Sequence, residues 1–126
     1  MAGPNVSVKK VFSAKTVTAN FANSRSSLID VHGMFQSTFL VNVVLGGGGT
    51  FIELEIESEQ EGVLFKRTSQ TVGAGVLTHV AVVDRFESTG KFRFGLPISD
   101  NVLRISARGD GVDPVVSLTI LGQTEQ

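Results

Sequence analysis

A chain of 126 residues can bury one hydrophobic core but not two, and its 41% apolar content is ordinary for a globular domain. A net charge of -1 produces no overall pull toward nucleic acid or an anionic membrane. The absence of cysteine removes disulfides, thiolate nucleophiles and thiolate metal sites together, and fits a reducing cytoplasm.

The opening MAGPNVSVKK lacks the apolar centre of a signal peptide, and no run approaches the ~20 apolar residues of a membrane span. The expectation is a soluble protein without an export signal. Residues 1–10 read as an N-terminal arm or first edge strand, and 11–126 as one β-sandwich domain. Asn5-Val6-Ser7 is a glycosylation sequon with no secretory route to use it.

The dominant period is two, the spacing of a strand with one buried face. Strands are expected near 6–12, 27–31, 38–45, 50–58, 63–68, 76–83, 91–95, 102–108 and 115–121. Ile52, Leu54 and Ile56 alternate with Glu53, Glu55, Glu57 and Glu59, placing aliphatics on one face and carboxylates on the other. Leu103, Ile105 and Ala107 oppose Arg104, Ser106 and Arg108 in the same way, and Val116, Leu118 and Ile120 oppose Ser117 and Thr119. No segment shows the spacing of an amphipathic helix. Turn residues in ANSRSS, GGGG, SEQEG, VGAG, ESTG, PISDN and GDGVDP punctuate the strands. Short strands so divided read as one all-β domain, a sandwich or barrel of antiparallel strands, and the sandwich is the expected fold.

Three motifs invite a chemical reading. Gly46–Gly49 is not a phosphate loop, because it runs into another strand instead of a helix and no lysine follows. The expectation is a hairpin turn between 38–45 and 50–58. Arg108-Gly109-Asp110 spells an adhesion tripeptide, yet the surrounding glycines, Asp113 and Pro114 read as an ordinary loop. That loop also lacks the oxygen ligands and terminal Glu of a calcium-binding EF-hand.

His32 and His79 form no metal-ligand pair, and no GxSxG elbow is present. The carboxylates of Glu53, Glu55, Glu57 and Glu59 lack the aromatic platform and unequal environments of a glycosidase pair. They read as a solvated strip facing either a basic partner or cross-strand cations, Lys91/Arg93 or Arg104/Arg108. Nine Phe with neither Trp nor Tyr favour core filling over small-molecule recognition. Neither an enzyme, a cofactor nor a metal site is expected.

Three stretches resemble one family. FSAKTVTANFANSRSSLIDVHG resembles its opening, a Phe-Ser and a Thr before a Ser-rich turn and a short IDV strand. STFLVNVVLGGGGTFIELEIESEQEG is similar to its paired central strands, and VLRISARGDGVDPVVSLTIL to its close, with Val102 where the family usually carries Tyr. These are the jelly-roll cement, or decoration, proteins of tailed bacteriophage capsids, and the resemblance spans residues 12–121.

It implies a virion protein made in the host cytoplasm that binds the outer capsid shell and stabilises contacts between major capsid subunits. The implied partners are the major capsid protein and copies of itself, as a dimer or trimer, with no direct nucleic-acid or membrane binding. Pro4, Lys9 and Lys10 of the arm, and Glu53, Glu55 and Glu57 of the acidic strip, are the candidate partner contacts. The alternatives are a neck, tail or fibre-associated β module, or a carbohydrate-binding sandwich.

Overall fold

The computed structural model describes residues 5–96 and 102–124. In chain order the strands are β1 (Asn5–Thr16), β2 (Ile29–Asp30), β3 (Met34–Val44), β4 (Ile52–Gln60), β5 (Val63–Lys66) and β6 (Thr68–Gly73). There follow β7 (Val76–Ala81), β8 (Asp84–Phe86), β9 (Gly90–Gly95), β10 (Val102–Gly109) and β11 (Val115–Thr124), with one 3-10 turn at Phe21–Asn23 between β1 and β2.

The strands build the two antiparallel sheets of a sandwich and a separate two-stranded sheet of β6 and β7. The first has the order β1-β11-β3-β9; the second has the order β2-β10-β4-β5, with β8 also paired to β4. Apart from β6 and β7, successive strands pass from one sheet to the other, except that β5 and β8 pair with opposite ends of β4 and act as one interrupted strand. Eight strand positions in two interleaved sheets make a jelly roll. The expected all-β antiparallel sandwich is the observed fold.

Alternation sets which side chains meet between the sheets. Phe39, Val41 and Val43 from β3 and Val116, Leu118 and Ile120 from β11 face Ile52, Leu54 and Ile56 from β4 and Leu103, Ile105 and Ala107 from β10. All are buried, and burying each large aliphatic or Phe side chain contributes about 1.5–3 kcal/mol. At one edge Phe86 of β8 packs against Phe92 and Phe94 of β9, with ring centroids 5.2 and 6.3 Å apart, joining the two sheets.

One expectation about connectivity changes. β3 lies in the first sheet and β4 in the second, so the four glycines connect the sheets and do not close a hairpin. Turn chemistry marks where a chain reverses but not whether the strands it joins pair. Of the two readings of residues 5–10, arm or first edge strand, the described residues form the edge strand. They pair in register with Thr119–Thr124 of β11, and β1 continues past residue 10 through a register shift between Lys10 and Phe12.

Candidate interaction surfaces

The acidic strip of β4 points away from the core, as alternation requires, but it is not solvated. Glu53, Glu55 and Glu57 are 5%, 9% and 4% exposed. Cations from the neighbouring strands cover them. Arg108 Nη2 lies 2.7 Å from Glu53 Oε1, and Arg85 Nη1 lies 3.3 Å from Oε2. Arg104 donates to Glu57 through Nε and Nη2, and Lys66 Nζ lies 2.7 Å from Glu55.

The register explains the match, since Arg104 pairs with Glu57, Arg108 with Glu53, Arg85 with Glu53 and Lys66 with Glu57 across adjacent strands. Two aromatic rings hold the cover down: Arg85 Cζ sits 4.0 Å from the Phe51 centroid and Arg108 Cζ 4.4 Å from that of Phe21. Arg104/Arg108 are thus the cross-strand partners, while Lys91 and Arg93 belong to the other sheet. A strip so paired is closed to a basic partner.

The Arg108-Gly109-Asp110 tripeptide is likewise engaged within the chain. Arg108 is bound to Glu53, and the Asp110 carboxylate accepts from the N–H of Thr50, the hydroxyl of Thr50 and the N–H of Phe51. These bonds to the charged form, led by the Thr50 hydroxyl, hold the Asp110 carboxyl at about 2, below its ordinary 3.8. The glycine loop packs on the same segment: Val112 N–H donates to the Gly47 carbonyl over 2.8 Å. A Cβ at Gly46 would stand 1.6 Å from the Val112 carbonyl oxygen, so glycine is required there by contact.

Among the described residues, two exposed surfaces stand clear of these pairings. The first is the hairpin of β6 and β7, which leaves the sandwich between β5 and β8. Every residue of both strands is exposed. Val72 and Leu77 form one cross-strand pair, while Val76 and Val80 lie on the opposite face. Residues 68–83 contain no Asp, Glu, Lys or Arg. Its base is fixed by the Arg67–Asp84 ion pair and a hydrogen bond from Val82 N–H to the Arg67 carbonyl. His79 stands on this hairpin opposite Gln70; His32 is exposed at the end of β2, its N–H bound to the Asp30 carboxylate.

The second open surface is the outer face of the first sheet. An open groove of about 340 Å³ lies there, with Leu40 and Asn42 of β3, Lys91 and Arg93 of β9, and Ser117 and Thr119 of β11 among its lining. Lys10 of β1 pairs with Thr119 and extends this face to the sheet edge. Lys9 pairs with Ile120 on the other parity and is half-buried. Pro4 lies outside the described residues. The expected contacts therefore divide, with Lys10 at the groove's edge, Glu53 and Glu57 under arginine cover and Glu55 paired to Lys66. Sequence reading passed over both open surfaces, although the charge-free run at 68–83 was visible as a composition shift.

No family model matches this chain, and no curated protein is detectably similar to it in sequence. The fold is shared with a prophage protein. The crystal structure of the SPBc2 prophage-derived protein YomS superposes with a TM-score of 0.60 at 12% identity, covering 98% of this chain and 97% of that one.

Proposed function

We propose that this chain is a structural protein of a tailed-phage virion, a cement protein that binds the outer capsid shell and links neighbouring major capsid subunits. The likeness to a prophage-derived protein over nearly the whole of both chains supports the phage setting. The observation that carries the docking role is the β6–β7 hairpin. A two-stranded ribbon is marginally stable in water by itself, and exposed strand edges are normally protected by charges, Pro or a covering element. Here the ribbon pairs with no third strand among the described residues and has aliphatics on both faces and no charged side chain, yet an ion pair holds its base to the body. Such an element gains most when another protein covers it, by pairing its edge or burying its faces.

Co-sedimentation of the purified protein with expanded capsid shells tests the role. Saturable binding at many copies per shell is the expected result. Val72→Glu combined with Leu77→Glu should weaken that binding at least ~10-fold, equivalent to about 1.4 kcal/mol, without lowering the melting temperature of the sandwich. Binding at one vertex alone would move the protein to the neck or tail, and an unimpaired double variant would remove the hairpin from the contact.

A further inference from the structure

We infer that the outer face of the first sheet binds an extended, acidic protein segment that also carries apolar side chains. This rests on the docking role above and supplies the chemistry of a second contact, which a molecule linking two subunits requires. The four strands of that sheet carry Lys9, Lys10, Lys15, Lys91 and Arg93 and not one Asp or Glu. The ion pairs among the described residues use Lys66, Arg67, Arg85, Arg104 and Arg108, and none of those five. The second sheet shows the contrast, since each buried carboxylate of β4 meets a cation of its own chain.

Register places the cations at the rims of an apolar and hydroxyl trough. Lys10, Thr119, Leu40 and Arg93 form one row across all four strands, and Ser117, Asn42 and Lys91 form part of the next. On the other side lies the row Val8, Leu121, Thr38 and Gly95. Three strand spacings put the Lys10 and Arg93 backbones about 14 Å apart, wide enough for one extended chain between them. A segment lying there sets apolar side chains on Leu40 and Leu121 and swings carboxylates to Lys10 on one rim and Lys91 and Arg93 on the other.

Nucleic acid fits this face less well. Phe92 contributes to the groove's lining, but by register it has the core-side parity of Phe39 and Phe94 and packs on Phe86, so it offers no outward ring on which a base could stack. The cations flank an apolar floor instead of following a continuous track for phosphates.

The probe is a capped, fluorescently labelled synthetic peptide alternating Glu and Val, titrated into the full-length protein at low and high salt. Saturable binding that weakens with salt is expected. Lys91→Glu combined with Arg93→Glu should weaken it at least ~10-fold, while Val72→Glu on the hairpin leaves it unchanged and both variants keep the parent's melting temperature. Failure of the peptide to bind, binding indifferent to the charge reversal, or tighter binding of oligothymidine than of the peptide would overturn the inference. So would concentration-dependent self-association abolished by the same reversal, which would assign the face to a second copy. Peptide binding without shell binding would reject the capsid role and leave this face standing; shell binding unaffected by Lys91→Glu and Arg93→Glu would do the reverse.

Discussion

Gly46 and Gly47 are adjacent in sequence and differ in what they tolerate. A Cβ on Gly46 collides with the Val112 carbonyl, whereas one on Gly47 reaches Val112 Cβ at 4.0 Å, an ordinary contact. Gly46→Ala should therefore cost about 1–3 kcal/mol through overpacking, and Gly47→Ala close to nothing, as read from urea midpoints. Equal effects would mean that the two loops do not pack as described.

Asp110 gives the same contact an acid signature. Its folded-state pKa of about 2 lies below the ordinary 3.8, so its stabilising effect is complete above that ordinary value. The effect is lost as pH falls from about 4 toward 2. Asp110→Asn should flatten the fall in melting temperature across that window, and an unchanged profile would show the carboxylate is not bound there. Sequence marked both loops as turns. It could not show that they touch, because the contact joins positions far apart in the chain.

At the scale of elements, β4 shows how much a strand discloses by itself. Its alternation separates core from outer face correctly, with Leu54 fully buried and Glu53, Glu55 and Glu57 on the other side. Leu54→Asp should unfold the domain, a loss of more than ~4 kcal/mol; a soluble variant that still melts cooperatively would contradict the face assignment. What alternation cannot supply is the cover. Whether a Glu is solvated depends on which strands flank it, and β8 and β10 bring arginines while β5 brings a lysine.

Arg104→Ala tests that cover. It leaves Glu57, 4% exposed, with Lys66 at 4.0 Å as its remaining ion-pair partner. The loss should be about 1–3 kcal/mol in chemical denaturation, and a neutral result would mean the strip is more hydrated than its packing implies. The expected strand over 76–83 is β7, which ends at Ala81 and pairs with β6, while β8 at Asp84–Phe86 lies outside every expected strand. The polar, exposed ribbon of β6 and β7 lacks the one-sided apolar alternation by which core strands are recognised.

For the whole molecule, the net charge of -1 conceals a division that only the topology shows. β1, β3, β9 and β11 are scattered along the chain, and their uniform lack of acidic residues becomes one face only when the jelly roll brings them into one sheet. The sandwich and most strand positions were legible in hydrophobic period and turn residues, because each depends on neighbours in sequence. The surfaces were not, because each depends on which strands share a sheet. The hairpin forms a sheet of its own, separate from the one that carries the cationic face.

The most direct test is a cryo-electron microscopy reconstruction of expanded shells saturated with the protein. Density repeated across the shell at subunit boundaries, with the β6–β7 hairpin and the outer face of the first sheet against different capsid subunits, is the predicted result. Density confined to one vertex, or contacts made through the arginine-covered strip of β4 with both open surfaces left in solvent, would contradict the account.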